Sequence, residues 1–130
     1  MRILIIGGRA KTDYLISMLK DKHEIEIMND DEDYCHFLSD KYDVPSYVVN
    51  LNYPSKIFLD LEDSYDAAMV LTPNDCRNLI ICQFAKKHNI NKTITIVHNP
   101  LNQNFFKKLG VDIAISSTYF LAEKISTSFE

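Results

Sequence analysis

A turn of small and basic residues follows the first apolar run and has the composition of a phosphate-binding loop. It reads Gly7-Gly8-Arg9-Ala10-Lys11-Thr12. A complete G-x-G-x-x-G fingerprint needs its second glycine for close approach to a pyrophosphate and its third for close packing of helix on strand. Gly7 fits the first position, but Arg9 and Thr12 hold the other two. Helix-terminal amides, with charge from Arg9 or Lys11, could still bind phosphate, so both phosphate binding and an unliganded surface turn stay open.

A second polar group follows the second apolar run, where dinucleotide-binding proteins carry a carboxylate for the ribose hydroxyls. Asn29 holds that position and Asp30 follows it. Asparagine can accept one hydrogen bond and donate another, more weakly than an ionised carboxylate. The acids from Asp31 to Asp33 are more simply explained as the first turn of a helix, where they complement its dipole.

Cysteine and histidine give only weak candidates for chemistry. Three cysteines (Cys35, Cys76 and Cys82) and four scattered histidines form neither a disulfide framework nor a zinc pattern. Cys35 and His36 are neighbours on a predicted helix, and such neighbours diverge by about 100°. We therefore predict no catalytic residue and no metal. His98 could touch a ligand, but a capping or solvent-facing role is the favoured interpretation.

An acidic run lies before the fourth predicted strand. Its members are Asp60, Glu62, Asp63 and Asp66. A solvated loop is the simplest interpretation, and a weak cation site is the alternative.

Strand-like runs alternate with helical patterns along the whole chain. The predicted strands are Arg2–Ile6, Glu24–Met28, Ser46–Val49, Ala67–Leu71, Thr93–Val97 and Asp112–Ile115. Several are almost continuously apolar, which is typical of parallel strands covered on both faces. The predicted helices are Lys11–Asp21, Asp31–Lys41, Ser55–Leu61, Asn74–His88, Leu101–Leu109 and Ser116–Glu130. This order predicts an α/β fold, a Rossmann-like doubly wound parallel six-stranded sheet with helices on both faces.

Capping signals and apolar spacing predict where helices begin and which faces pack. Thr72-Pro73-Asn74-Asp75 places a hydroxyl at N-cap, proline at N1 and an acid at N3, and Asn99-Pro100 opens the next helix in the same way. The residues expected on packed helix faces are Leu15, Met18, Leu19, Leu79, Ile80, Phe84, Ala85, Phe105, Phe106 and Leu109.

The last helix is unusually apolar for one packing face. Its apolar residues are Tyr119, Phe120, Leu121, Ala122, Ile125 and Phe129. Two interpretations are open: a surface for a partner, or a stripe that covers the sheet.

Two stretches carry a family resemblance. Asp66–Leu79 resembles the RCK, or TrkA-N, pattern, in which a strand ends in threonine and leads to a helix with an acid and an asparagine at this spacing. Ile94–Asn102 and Phe105–Asp112, with its KLGVD turn, are similar to the family's fifth strand and next helix. The resemblance covers the whole chain and implies one N-terminal RCK domain over residues 1–130. Many members carry a second, C-terminal domain, so the chain is either a short member or a fragment.

The resemblance also implies a ligand, partners and a location. The ligand would be NAD or NADH, or an adenine nucleotide (ATP, ADP or AMP). The implied contacts are Gly7, Gly8 and Arg9 at the phosphates, Asn29 and Asp30 at the ribose, and Thr72, Asn74 and Asp75 closing the cleft from the fourth strand. The implied assembly is a dimer or ring through the last helix, regulating a potassium channel or transporter subunit from the cytoplasmic face of the membrane, without inserting into it. The preference of the last helix for a dimer rests on this resemblance.

Three departures from the family all lie on the expected ligand face. Two glycines are replaced, asparagine stands for the acid, and Asn50-Leu51-Asn52-Tyr53 replaces a glycine-aspartate-glycine-threonine type of loop. Two other functions therefore stay open. One is an assembly subunit with a non-binding pocket. The other is an NAD(P)-dependent oxidoreductase, disfavoured because no candidate acid or base with supporting partners and no substrate domain is evident.

Bulk composition excludes other classes. The 130 residues are 46% hydrophobic and 25% charged, as in ordinary globular proteins, with a net charge of −4. This acidic balance argues against nucleic-acid binding, which needs a basic surface. No apolar run approaches the ~20 residues of a membrane-spanning helix, and the first run is shorter than the apolar part of a signal peptide.

Overall fold

Six parallel strands form one sheet in the order β3-β2-β1-β4-β5-β6. The computed structural model describes residues 1–61 and 64–130. The strands are β1 (Arg2–Ile6), β2 (Glu24–Asn29), β3 (Ser46–Val48), β4 (Ala67–Val70), β5 (Lys92–Val97) and β6 (Ile113–Ser116). The helices are α1 (Ala10–Leu19), α2 (Glu32–Tyr42), α3 (Pro54–Ile57), α4 (Asp75–Lys87), α5 (Asn102–Lys108) and α6 (Ser117–Thr127). The predicted Rossmann-like parallel sheet is confirmed, with element ends within four residues of the predicted ones.

The strand order places a switch point at the centre of the sheet. From β1 the chain runs outward through β2 and β3, then returns to add β4 on the other side of β1. Successive connections therefore leave β1 and β4 in opposite directions, and a crevice opens beyond their carboxyl ends. Ile6 marks that level, because it pairs with Met28 of β2 and with Val70 of β4.

Alternate residues of the central strands enter two separate cores. Ile3 and Ile5 of β1 pack with the apolar residues of α1 and α2 on one face, where Ile16 and Leu38 are fully buried. Leu4 and Ile6 point to the opposite core, which includes Phe58 and apolar residues of α4 and α5. Because β1 is covered on both faces, its run of isoleucine and leucine is explained by position alone.

The predicted N-cap of α4 is wrong by two residues. Asn74, not Thr72, is the N-cap: its backbone is extended, and its side-chain oxygen accepts a hydrogen bond from the Arg77 N–H at 2.9 Å. Asp75 is consequently the first helical residue and not the third. The next helix also begins late, at Asn102. Asn99 instead opens the turn before it, accepting a hydrogen bond from the Leu101 N–H at 3.1 Å.

Several predicted packing residues are exposed. On α1 the fully buried apolar residue is Ile16, whereas Met18 is 72% exposed. Ile80, Phe105 and Leu109 are exposed as well, and α4 buries Ile81 in place of Ile80. The other predicted residues pack as expected: Phe106 and Ala85 are buried, and Leu15, Leu19, Leu79 and Phe84 pack against the two cores. The wrong assignments arise where adjacent apolar side chains left the inward direction ambiguous.

The last helix buries none of its residues. Tyr119, Phe120, Leu121, Ile125 and Phe129, the last just beyond α6, are all more than half exposed. A stripe that covers this sheet is therefore not what α6 forms. No helix within residues 1–61 and 64–130 is long and apolar enough to cross a membrane.

The acidic run is described only in part. Asp60 and Asp66 are exposed, and a carboxylate oxygen of Asp66 accepts a hydrogen bond from the Arg2 N–H at 2.7 Å. Glu62 and Asp63 lie outside the described residues.

Candidate functional site

A cleft of about 400 Å³ opens beyond the carboxyl ends of β1 and β4, at the switch point of the sheet. It is lined by Gly8, Arg9, Ala10, Lys11, Asp30, Leu51, Leu71, Thr72, Pro73, Arg77, Ile96 and His98. Its volume lies in the range of small-molecule sites, and its floor is apolar with charged groups at the rim. Four of the eight predicted binding residues are in this lining: Gly8, Arg9, Asp30 and Thr72.

The glycine turn after β1 is held in a left-handed conformation. Gly7 and Gly8 have φ values of +77° and +83°, a region that costs other residues strain. The Gly7 N–H donates to the Met28 carbonyl at 2.8 Å, which ties the turn to β2. A Cβ on Gly7 would lie 2.9 Å from the side chain of Thr72. Gly7 therefore lies behind the cleft and lets β4 approach the turn.

Thr12 stands in the position of the third fingerprint glycine without separating helix from strand. It is fully buried, and its hydroxyl donates to the Gly7 carbonyl at 2.7 Å. The hydroxyl oxygen of Thr12 would lie 2.4 Å from a Cβ on Gly8. The threonine fits under the turn because Gly8 leaves room for it, so close packing of α1 is kept without the third glycine.

Arg9, in the second-glycine position, reaches from the turn to the end of β2. Its Nη1 donates to Asn29 Oδ1 at 2.7 Å and to the Gly8 carbonyl at 2.9 Å. Its Nη2 lies 3.2 Å from a carboxylate oxygen of Asp30. The guanidinium also lies 5.5 Å from the ring centre of Tyr34, whose hydroxyl donates to the Arg9 carbonyl at 2.5 Å. The side chain is thereby fixed across the region where a ribose is expected.

Asn29 is fully buried beneath Arg9. Besides accepting from Arg9, its oxygen accepts from the Asp31 N–H at 3.2 Å, while its NH₂ group donates to the Gly8 carbonyl at 2.9 Å. The amide therefore joins the glycine turn to the end of β2. A carboxylate here could not donate to Gly8, and this accounts for asparagine in place of the family's acid.

Thr72 lines the cleft just beyond β4, and Asn78 of α4 binds it. Both residues are buried. Asn78 Oδ1 accepts from the Thr72 N–H at 3.0 Å and from its hydroxyl at 2.5 Å, and Asn78 Nδ2 donates to the Thr72 carbonyl at 2.9 Å. The same Nδ2 is 3.3 Å from the Ile96 carbonyl. This pairing fixes α4 against the ends of β4 and β5.

Asp75 and Asn74 lie outside the cleft lining. One carboxylate oxygen of Asp75 accepts from the His98 N–H at 2.8 Å; the other accepts from the Asn99 N–H at 3.1 Å and from Asn102 at 2.9 Å. Burial would raise the pKa of this carboxyl, but the hydrogen bonds donated by His98, Asn102 and Asn99 outweigh it and lower the pKa. Asp75 thus ties α4 to the β5–α5 loop.

Positive charge predominates in the cleft. Arg9, Lys11 and Arg77 face one acid, Asp30. Arg77 was not singled out in the sequence; its Nη2 donates to the side-chain oxygen of Asn52 at 2.8 Å, which holds it at the cleft. The sequence feature that could have indicated Arg77 as a cleft residue was its position in the first turn of a helix that begins beside the cleft. Oriented guanidinium and ammonium groups beside the N-terminus of α1 are chemically suited to phosphate.

Cys35 and His36, neighbours on α2, lie in opposite environments. Cys35 is buried, and burial raises the pKa of its thiol. His36 points to solvent, where its Nε2 lies 3.8 Å from a carboxylate oxygen of Glu32. Burial also raises the pKa of the Cys82 thiol, to about 12. Among residues 1–61 and 64–130, no group of three or more histidine, cysteine or acidic side chains could hold a metal ion.

Together, the strand order, the glycine turn and the cleft at the switch point define a Rossmann-like domain. The model of the TrkA-N domain family matches residues 3–117. The chain belongs to that family.

Two curated relatives are potassium uptake proteins. The chain is 25% identical over 114 residues to a Trk system potassium uptake protein TrkA homolog of Methanothermobacter thermautotrophicus, covering 88% of this chain and 53% of the relative. It is 27% identical over 117 residues to the Trk system potassium uptake protein TrkA of Halomonas elongata, covering 88% and 25%. The chain thus spans about half the length of the first relative and a quarter of the second.

Solved structures share the fold. The TrkA-N domain of the inner membrane protein ybaL from Escherichia coli superposes with a TM-score of 0.82 at 14% identity, covering 99% of this chain and 96% of that one. The GsuK channel bound to NAD and GsuK bound to ADP each give a TM-score of 0.73 at 18% identity over 88% of this chain, covering 21% and 31% of theirs.

Proposed function

We propose that this domain is a nucleotide-sensing regulatory module of a potassium channel or transporter. The observation that carries the proposal is the cleft at the switch point, where Arg9, Lys11 and Arg77 are arranged around an apolar floor. The family membership supports the link to potassium transport, because the curated relatives are potassium uptake proteins. The structures of GsuK with NAD and with ADP support the ligand class, which is NAD or NADH, or ATP, ADP or AMP.

The residues present fit the phosphate part of such a ligand. The first-turn amides of α1 and the side chain of Lys11 lie at the same rim of the cleft, and Arg77 faces them from α4, held by Asn52. The apolar floor, which includes Leu51, Leu71 and Ile96, suits a base or a ribose face. Gly8 and Thr72 both line the cleft, Gly8 in the glycine turn and Thr72 just beyond the end of β4.

Regulation requires that the nucleotide bind two conformations of the assembly with different affinities. The cleft lies between the β1–β3 half and the β4–β6 half, so a ligand there contacts both halves. Asn78 and Asp75 connect the β4 side of the cleft to α4 and α5. A change in cleft width would therefore move these helices as a unit, and the membrane subunit would respond to that movement at the cytoplasmic face.

The assembly that we propose is a homodimer, or a ring of dimers, formed through α6. This helix exposes an apolar surface, and an apolar groove on the same domain is lined by residues of α1 and of the central and outer strands. The clearest support for an interface at this groove comes from Tyr14, Met18 and Ile115, because all three are apolar and substantially exposed. In a two-fold pair, the helix of each copy would cover the groove of the other, which buries both surfaces.

An assembly subunit that binds no nucleotide is the second candidate. The observation that favours it is the position of Arg9, whose guanidinium already donates hydrogen bonds to Asn29 and Asp30 at the end of β2. The two candidates share the dimer and the potassium-transport partner, and they differ in whether any nucleotide binds.

A thermal-shift measurement on the purified domain separates the two candidates. NAD, NADH, ATP, ADP and AMP are each added far above the expected dissociation constant. A ligand at ~100 times its dissociation constant adds about 2.7 kcal/mol to the free energy of unfolding, a rise of several degrees in Tm for a domain of this size. A clear rise with one class of nucleotide supports the sensor, whereas no rise with any of the five leaves the assembly subunit.

A further inference from the structure

The guanidinium of Arg9 lies at the end of β2, beside the two residues that hold the ribose position in a domain of this fold. It donates to Asn29 Oδ1 at 2.7 Å and lies 3.2 Å from Asp30 Oδ1. In Rossmann domains the ribose hydroxyls bind the residue at this strand end. Two of the acceptors that could receive a ribose hydroxyl, Asn29 Oδ1 and Asp30 Oδ1, are thus already used by a side chain of the same protein.

We infer that Arg9 determines which nucleotides the cleft accepts. Its side chain occupies the ribose position and excludes NAD, but it moves out of that position when the terminal phosphate of a nucleotide binds the guanidinium. The inference rests on the proposed nucleotide site and assigns it a ligand class, the adenine nucleotides that end in a terminal phosphate group.

Arg9 is held by contacts that a ligand can replace. Its side chain is 50% exposed and that of Asp30 is 46% exposed, so solvent screens their attraction and the pair can exchange partners readily. The contact with Asn29 is between a charged donor and a neutral amide oxygen, which is weaker than a contact with an anion. An anion of higher charge within reach of the guanidinium would therefore compete effectively.

A terminal phosphate is such an anion. A terminal phosphate, like a phosphate monoester, carries a charge of about −1.5 to −2 near neutral pH and accepts two parallel hydrogen bonds from arginine. Each phosphate of NAD is bonded both to a ribose and to the other phosphate, so neither offers a terminal dianionic group. NAD also needs the bridge to pass close to the second fingerprint position, and here the Arg9 side chain projects from that position.

The experiment compares the affinities of ADP and NAD for the wild-type chain and for Arg9→Gly by isothermal titration calorimetry at near-physiological salt. The pH is set above the second phosphate pKa of about 6. Arg9→Gly restores the second fingerprint glycine and frees Asn29 and Asp30. Lys22→Gly is the matched control, because it removes one positive charge from an exposed loop at the opposite end of the sheet. Thermal melting of each variant establishes that it is folded.

The expected result is that wild type binds ADP at least roughly tenfold more tightly than NAD, and that Arg9→Gly lowers this ratio roughly tenfold or more by losing ADP affinity and gaining NAD affinity. Lys22→Gly should keep the wild-type ratio. A ratio that is the same in wild type and Arg9→Gly overturns the inference.

The outcomes also separate this inference from the proposed function. If wild type binds neither nucleotide, the sensor proposal fails, and Arg9→Gly alone decides the inference: gained NAD binding supports exclusion by Arg9, and no binding overturns it. Asp30→Asn provides an independent second test, because it removes the carboxylate that holds Arg9 while leaving the guanidinium in place. We expect it to tighten ADP binding several-fold; unchanged or weaker ADP binding contradicts the displacement of Arg9 by phosphate.

Discussion

Asn78 and Thr72 are joined by three hydrogen bonds that use the whole amide of one and the backbone and hydroxyl of the other. Both residues are buried, so these polar groups have no access to solvent. The pair connects the end of β4 to α4, and Thr72 lines the cleft. Both the shape of the cleft and the stability of the fold therefore depend on these three hydrogen bonds.

The first prediction concerns this pair. Asn78→Ala should lower the free energy of unfolding by about 2–3 kcal/mol, because the Thr72 N–H would be left buried without a partner and its carbonyl would keep only the 3.5 Å contact with His98 Nε2. Asn104→Ala on α5, where the side chain is exposed, is the matched control and should change stability by less than about 0.5 kcal/mol. Urea unfolding followed by circular dichroism measures both. An Asn78→Ala chain as stable as the control would contradict the structural role assigned to the pair.

The second prediction separates backbone strain from steric contact at the glycine turn. Gly8 and Gly110 have φ values of +83° and +97°, so alanine at either position is strained. A Cβ on Gly8 would lie 2.4 Å from Thr12 Oγ1 and 3.2 Å from Leu71 Cβ, whereas one on Gly110 meets nothing within 4 Å.

We therefore expect Gly110→Ala to cost about 1–2 kcal/mol and Gly8→Ala to cost measurably more. The excess should shrink when Gly8→Ala is made in a Thr12→Ala background, because that change removes the Oγ1 atom that the new Cβ would meet. Equal losses for Gly8→Ala and Gly110→Ala in chemical denaturation would show that contact with Thr12 does not constrain the turn.

The third prediction is a pH dependence from Asp75. Its folded-state pKa is lowered from 3.8, because hydrogen bonds from His98, Asn102 and Asn99 outweigh the opposing effect of burial. A carboxyl with a lowered folded pKa adds stability that is fully present above the unfolded value and is lost as pH falls through the folded value. Asp75→Asn should cost about 1–3 kcal/mol near neutral pH, and the difference from wild type should narrow below about pH 4.

Melting temperatures of wild type and Asp75→Asn over a series of pH values test this. Asp33→Asn, at an exposed acid in the first turn of α2, controls for the loss of one negative charge. A difference between wild type and Asp75→Asn that stays constant into the acid range would show that the carboxylate is not what joins α4 to the β5–α5 loop.

The fold was predictable because its signal is distributed along the chain. The apolar runs of β1 and β4 are buried on both faces, so nearly every residue in each run independently indicates a buried strand. Helix orientation was less predictable. Met18 and Ile80 were assigned to packed faces although they are exposed, because a neighbouring apolar residue also satisfied the period and only the three-dimensional packing selects between them.

The site was predictable in position but not in its internal bonding. The glycine turn and the end of β2 were placed correctly at the switch point. Thr72 was assigned a capping role, however, because a threonine before proline is typical of N-caps. The structure instead pairs it with Asn78, six residues away. Arg77 was missed because its place in the cleft depends on Asn52, which is distant in sequence. The ligand-binding roles of the predicted residues stay predictions.

The last prediction concerns the apolar surface of α6. Ile125 is 57% exposed on this helix, and Met18 is 72% exposed in the groove. If α6 of one copy covers the groove of another, burying such a side chain contributes about 1.5–3 kcal/mol to association. Ile125→Glu and Met18→Glu, which lie on different elements, should each weaken dimerisation roughly tenfold to a hundredfold.

Sedimentation velocity over a concentration series measures the dissociation constant. Ser126→Glu is the matched control, because it adds the same charge to α6 about 100° around the helix from Ile125 at an exposed polar position. It should leave the dimer intact. If Ile125→Glu dissociates the dimer while Met18→Glu does not, the helix contacts its partner at a surface other than the groove. A wild-type chain that is monomeric at every concentration contradicts the dimer itself, since the two apolar surfaces would then have no role in self-association.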